Sequence, residues 1–113
     1  MLPNHLSMHA PDCYEKLGTL AQQNPPIREK EHQDALWRAI DDGTVDIVAS
    51  DHAPHTLEEK SGIYPGTPSG TPGVQTLLPV MLDHAANGKL SYERIVDLMA
   101  YGPKKVHKIK NKC

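Results

Sequence analysis

Thr44-Val45-Asp46-Ile47-Val48-Ala49-Ser50 runs directly into Asp51-His52-Ala53-Pro54-His55. The first seven residues are short, β-branched and apolar at nearly every position. That pattern predicts a strand of a parallel sheet covered on both faces. The next five gather a carboxylate and two imidazoles at the C-terminal end of that strand. In a (β/α) barrel this is the end that carries the catalytic groups, and carboxylate and imidazole are both good Zn²⁺ ligands. A carboxylate beside a metal can also take up and return a proton. The plainer alternative is an aspartate that closes a turn, followed by surface histidines. Spacing alone leaves the two readings even.

Working outward, Glu31 to Asp41 places Ala35, Leu36, Ala39 and Ile40 at helical spacing, and Asp42-Gly43 supplies a stop. His52 to Gly73 has no periodicity, and Gly62, Gly66, Gly70 and Gly73 alternate there with Pro65, Pro68 and Pro72. Loops beyond about 12–15 residues are usually functional or disordered. This one begins at the His/Asp cluster, which favours function over a linker. Val74 to Ala86 predicts a helix with Val74, Leu77, Leu78, Met81, Leu82 and Ala85 in one stripe, kinked or started late by Pro79. Ser91 caps a further helix with Tyr92, Ile95, Val96 and Met99 on one face, ended by Gly102-Pro103. Residues 1–30 read as irregular and polar, interrupted by four prolines, with one helical turn between Tyr14 and Ala21. Helix, strand, functional loop, helix is one αβα step of an α/β fold. One strand cannot close a sheet, so the chain reads as the end of something larger, such as a barrel of about 250 residues.

Composition narrows the function classes. A chain of 113 residues is one small domain or a fragment of a larger one. With no Phe and Trp37 as its single Trp, the core it can build is thin. The net charge of −2 and the lack of an aromatic–basic stripe argue against nucleic acid. The lysine-rich stretch from Lys104 to Lys112 reads as a solvated end. Cys13 and Cys113 form neither a disulfide framework nor a zinc-finger spacing, which fits a reducing compartment. With no apolar run near the ~20 residues of a membrane span and no signal-peptide pattern at the start, the expected location is cytoplasmic, with no membrane partner.

Three smaller signals stand beside the central one. Asn24-Pro25-Pro26-Ile27-Arg28 presents Asn24, donor and acceptor at once, on a stiff backbone suited to an amide- or imide-like ring. Taken alone, a polyproline loop opened by a turn-forming Asn explains it better. His5, in Pro3-Asn4-His5-Leu6, is a lone histidine of the kind usually found at a surface or in a core; His9, four residues on between two prolines, is given no role. Pro68-Ser69-Gly70-Thr71-Pro72-Gly73 can bring bare backbone close to a ligand, or can simply link two elements.

In their order along the chain these blocks resemble one family. They are Pro3-Asn4-His5-Leu6; Asn24-Pro25-Pro26-Ile27-Arg28; Leu36-Trp37; Asp42-Gly43-Thr44-Val45-Asp46; Ala49-Ser50-Asp51-His52-Ala53-Pro54-His55-Thr56 with Glu58-Glu59-Lys60; and Pro68-Ser69-Gly70-Thr71-Pro72-Gly73-Val74-Gln75-Thr76. Together they resemble the C-terminal part of dihydroorotases, from about Leu2 to Pro103. The Asp-His-Ala-Pro-His-Thr and Pro-Gly-Val-Gln-Thr blocks are the most specific, and allantoinases and hydantoinases share the scaffold but differ there. The resemblance implies the C-terminal part of a metal-dependent-hydrolase TIM (β/α)8 barrel, incomplete in this chain. Residues 1–103 would be barrel, and 104–113 the truncated start of a small β domain or a tail. It further implies a centre of one or two zinc ions, with His5 and Asp51 as ligands and Asp51 as the catalytic base and acid. Asn24 and His55 would hold the substrate, with backbone at Pro72 and Gly73 against its ring. The implied reaction interconverts dihydroorotate and N-carbamoyl-aspartate in pyrimidine synthesis, with a homodimer or association with aspartate carbamoyltransferase as the implied assembly.

The chain departs from that pattern in what it lacks. The family's His-x-His pair, its bridging ligand, a further His and the arginine for the substrate carboxylate belong to earlier strands, and none is present. Lys104-Lys105-Val106-His107-Lys108 also differs from the family's usual ending. The expectation is therefore an enzyme fragment, inactive alone and unable to bind zinc tightly with two ligands. The competing readings are a non-catalytic dihydroorotase-like subunit that scaffolds aspartate carbamoyltransferase, and a related cyclic amidase such as allantoinase.

Overall fold

Two of the four prolines of the first thirty residues, Pro3 and Pro11, start helices instead of breaking them. In the computed structural model, which describes residues 1–110, Pro3 precedes helix α1, Asn4–Ser7, and Pro11 precedes α2, Asp12–Leu17. Proline needs no N–H partner at a helix start, so it is well placed there. A 3₁₀ turn, Gly18–Ala21, follows. The irregular stretch expected over residues 1–30 is thus largely helical in its first two-thirds.

Helix α3 runs Lys30–Asp41, where the apolar spacing predicts it. It buries Ile40 completely, with Leu36 and Trp37 packed alongside. Its buried Gln33 is no misfit. The Gln33 amide donates to the Leu6 and Met8 carbonyls at 3.0 and 3.1 Å, and the Trp37 indole N–H donates to Leu6 at 3.2 Å. These bonds satisfy carbonyls at the end of α1 that its own short ladder leaves open.

Residues 44–50 are extended, but among the described residues they form no β-ladder, which corrects the predicted strand. A strand needs an extended neighbour running alongside, and among the described residues the one it pairs with in that way is Met1. The Met1 amino group donates to Ile47 at 3.0 Å, and the Ala49 N–H donates to Met1 at 2.9 Å, a parallel pattern one residue long. The described β contacts are isolated parallel bridges, Ala10 with Glu29 and His52 with Thr71. Burial is one-sided as well. Val48 is buried and bonded through its N–H to Leu98 O at 3.1 Å, while Asp46 and Ala49 are exposed.

Helix α4, Leu57–Lys60, is a single turn inside the long loop. Helix α5 begins late, at Leu77, and ends at Ala86, so Pro79 falls in its first turn, where its missing N–H has no ladder partner to lose. The predicted stripe narrows accordingly. Met81 is fully buried, with Leu77 and Ala85 against the core, while Val74, Leu78 and Leu82 are exposed. Helix α6, Tyr92–Val96, carries the predicted cap, the Ser91 hydroxyl accepting from Arg94 N–H at 3.1 Å. Its buried face is Ile95 with Leu98, not Tyr92 and Val96, which are exposed.

Gly102-Pro103 does not end that helix. A π-type turn, Asp97–Tyr101, widens it, and α7, Gly102–Val106, continues. Within a regular helix Pro103 would lack a ladder N–H and crowd the carbonyl four residues back, and the wider turn relieves both conflicts. Gly102 is required there. A Cβ on it would run into the Asp46 carbonyl oxygen.

One apolar core holds these pieces together: Leu6, Ile40, Val48, Met81, Ile95 and Leu98. Each such side chain contributes roughly 1.5–3 kcal/mol when fully buried. Arg94 seals its edge, donating to Ile40 O at 3.1 and 3.0 Å and to Val45 O at 3.0 Å, which ties the end of α3 to the start of the extended segment. A second, smaller core of Cys13, Ala21 and Ile27 lies under α2. Tyr14 closes it, its hydroxyl donating to Ile27 O and accepting from Ile27 N–H.

Candidate functional site

The end of the extended segment turns through Asp51, which has a left-handed backbone (φ 46°) that aspartate tolerates better than most residues. Its carboxylate is exposed and accepts no hydrogen bond among the described residues. His52 then reaches across to the distant glycine-rich stretch. Its Nδ1 accepts from Gly73 N–H at 3.0 Å and from Val74 N–H at 3.3 Å. Nδ1 is therefore unprotonated and the ring proton lies on Nε2. Ala53 N–H donates to Thr71 O at 3.1 Å. Gly73 packs so closely that a Cβ on it would sit 2.9 Å from Ser50 O. The fold thus lays the backbone of Pro72 and Gly73 against the turn that carries Asp51.

His55 is half-buried, with Nδ1 3.7 Å from the Glu59 carboxylate. Glu59 is held by α4's capping box, accepting from Thr56 N–H at 2.8 Å. That bond, then the Thr56 hydroxyl, hold the Glu59 carboxyl below the usual glutamate range, with His55 adding to the effect. On its other side His55 faces Gly70. A Cβ on Gly70 would meet Ala53 at 2.8 Å and His55 Nε2 at 3.3 Å, and its φ of +135° suits glycine alone.

His5 lies in α1, at the second cluster. Its Nε2 is 3.0 Å from Pro25 O and 3.2 Å from the Gln23 amide nitrogen, which is itself 3.5 Å from Pro25 O. The Gln23 oxygen is taken by Asn4 Nδ2 at 2.8 Å, so its nitrogen must face His5. The His5 nitrogen thus lies between a carbonyl oxygen and an amide N–H, and the ring tautomer decides whether it donates to the first or accepts from the second. Asn4 also donates to the Thr71 hydroxyl at 3.0 Å, joining this cluster to the glycine-rich stretch. Asn24 is exposed and lines a cleft of about 520 Å³ with Tyr14, Gln22, Gln23, Pro26, Tyr64, Pro65 and Ser69. A larger cavity of about 800 Å³ lies at the opposite end of the extended segment, beside Gly43, Val45 and Asp46, and includes none of the predicted site residues.

Of the sequence-predicted residues, Asp51, Pro72 and Gly73 come together through His52. His5 and Asn24 flank Pro25, and His55 sits against Gly70. Among the described residues there is no group of three or more His, Cys, Asp or Glu able to hold a metal. As a donor, His5 fits: Nε2 is engaged by Pro25 O and the Gln23 amide, and a backbone carbonyl against one ring nitrogen is the usual support of an imidazole that binds metal through the other. Two donors are nonetheless fewer than the three protein ligands of a catalytic zinc. Sequence reading gave no role to Gln23 or Lys60 and none to His52 apart from its cluster; Gln23 acts through the side chains of His5 and Asn4, and His52 and Lys60 act through backbone groups of other segments. A buried lysine in the polar string Glu58-Glu59-Lys60 leaves no signal of burial in the sequence.

No protein-family model matches the chain. It is similar to curated dihydroorotases along nearly all its length: 44% identical to that of Halobacterium salinarum over 97% of this chain and 26% of the relative. It is 40% identical to that of Pyrococcus furiosus over 97% and 25%, respectively. The chain thus spans about a quarter of the length of these relatives. Among solved structures it is similar to the L-hydantoinase (dihydropyrimidinase) of Arthrobacter aurescens, with TM-score 0.85, 33% identity, and coverage of 96% of this chain and 25% of that one. It shares the fold of the Saccharomyces cerevisiae dihydroorotase solved with 5-fluoroorotic acid, at TM-score 0.80 and 18% identity over 98% and 30%. The chain thus has the fold of about a quarter of these proteins, and among the described residues its extended segment 44–50 has too few neighbours to pair into a sheet. No helix among the described residues is long and apolar enough to cross a membrane.

Proposed function

From a chain that matches dihydroorotases along nearly its whole length and along a quarter of theirs, we propose that it supplies the Asp51-bearing part of a cyclic-amide hydrolase. That enzyme would interconvert dihydroorotate and N-carbamoyl-aspartate. The observation that carries this reading is the convergence at Asp51. An exposed carboxylate, without a hydrogen-bond partner among the described residues, follows the extended segment, with the backbone of Pro72 and Gly73 held beside it by His52. A carboxylate so placed can take a proton from an attacking water and return it to the ring nitrogen as the amide bond breaks. Zinc, as one or two ions, is the proposed cofactor; when bound it acidifies water and polarises the amide carbonyl. His5 and Asp51 are its proposed ligands in this chain, with the others supplied from the rest of the enzyme. Asn24, on its cleft, and His55, oriented by Glu59, are the proposed substrate contacts. For the whole protein the reading includes a cytoplasmic location, a homodimer or association with aspartate carbamoyltransferase, and a division into barrel residues 1–103 and a tail of 104–113.

The test is turnover by the complete protein of dihydroorotate, hydantoin and allantoin side by side. Preferred ring opening of dihydroorotate, lost on chelation and restored by zinc, is the expected result. Preference for hydantoin or allantoin, or no turnover of any ring, would overturn the reading.

A further inference from the structure

Lys60 is 5% exposed, and no carboxylate among the described residues pairs with it. A buried ammonium must place all three of its N–H donors. Lys60 does so on three carbonyls, Gln22 O at 2.8 Å, Pro68 O at 3.0 Å and Gly70 O at 3.0 Å. Burial pushes its pKa down, and the three oxygens oppose that by favouring the charged form. The same carbonyl of Gln22 also accepts from Gly70 N–H at 3.0 Å. The Gln22 side chain grips the loop again, its amide donating to Thr67 O at 2.9 Å and its oxygen accepting from the buried Thr67 hydroxyl. One cation therefore binds the segment leading into Asn24 to the stretch that packs on His55.

We propose that Lys60 is a positioning residue, whose ammonium sets the distance between the Asn24 and His55 segments and thereby the pose of a cyclic-amide ring between them. This rests on the substrate contacts proposed above. Lys60 touches no reacting atom and acts through three backbone carbonyls. Its removal weakens ground-state and transition-state binding alike, which raises KM and leaves kcat largely intact.

Lys60→Met and Lys60→Arg in the complete enzyme test this, read by steady-state kinetics and by amide exchange. The methionine variant is expected to raise KM about tenfold or more with kcat changed less than about threefold. Exchange at Gly70 and Ala53 should quicken about tenfold while α3 amides stay protected. The arginine variant, which keeps a cation with several donors, should recover part of the KM. An unchanged KM, a fall in kcat at constant KM, or faster exchange spreading through α3 would overturn the proposal. If the unsubstituted protein opens no cyclic amide, the proposed function fails, and the exchange comparison alone decides whether Lys60 sets this geometry.

Discussion

Two regions of this chain are held together by opposite means. The helical scaffold is sealed by apolar side chains, with Leu6, Ile40, Met81 and Leu98 at 2% exposure or less. The loop from His52 to Gly73 contributes nothing to that core. Its buried residues are Lys60 and Thr67, and its large apolar side chains, Leu57, Ile63 and Tyr64, are at least 71% exposed. Apolar burial is non-directional and tolerates small shifts, whereas a hydrogen-bonded loop holds its backbone to within tenths of an ångström. The scaffold therefore supplies stability, and the loop supplies the geometry that chemistry needs.

The largest effect that separates them is expected at Asp51. Asp51→Asn in the complete enzyme should lower turnover by about 10²–10⁴-fold while leaving the melting temperature within a degree or two, because the side chain has no hydrogen-bond partner among the described residues. Retention of a tenth of the activity, or a large drop in melting temperature, would blur the division. Next comes the scaffold. Leu98 is fully buried and its carbonyl accepts from Val48, so Leu98→Ala should cost about 2–5 kcal/mol in denaturant unfolding. A cost under about 1 kcal/mol would mean that the core is loosely packed. Within the loop, Gly70→Ala forces a left-handed alanine into Ala53 at 2.8 Å. It should cost roughly 1–3 kcal/mol, seen as faster exchange across 52–73 with α3 unaffected.

The smallest effect belongs to His84, which joins α5 to the scaffold. It packs edge-on to Trp37 with ring centroids 4.9 Å apart and bonds the Ser7 hydroxyl at 2.9 Å. Burial, then Lys89 nearby, push its pKa below the ordinary 6.5, against the pull of Asp83. Below 6.5 the unfolded chain takes up this proton before the folded chain does. The contribution is thus full above 6.5 and is lost as pH falls towards the folded value. His84→Gln should flatten that part of the stability profile between pH 7 and 5. A histidine resonance titrating above 6.5 would reverse the sign and sink the argument.

Local signals carried much of this. Helix α3 was legible because Leu36, Ala39 and Ile40 repeat at helical spacing, and the start of α6 because Ser91 can cap only its own helix. The Asp51 turn was legible because a carboxylate and two histidines follow a β-branched run. Pro103, by contrast, reads as a stop, and only the π turn beside Asp46 lets the helix pass it. Tyr92 and Val96 fit a helical stripe as well as Ile95 does; which of them is buried depends on where Val48 and Ile40 come to lie.

The sequence by itself determined helix α3, the body of α5, the Ser91 cap that starts α6, the apolar run of 44–50 and the order in which the chemistry-bearing residues follow one another. All of these depend on neighbours within a turn or two, where propensity and periodicity act. Tertiary structure alone decided that 44–50 finds a single parallel partner at Met1, that His52 gives its bare Nδ1 to Gly73, and that Lys60 is buried on three carbonyls. The physical reason is shared. Strand pairing, ring tautomer and the burial of a charge are set by hydrogen-bond partners far away in the chain, and nothing in a residue's own neighbourhood encodes them.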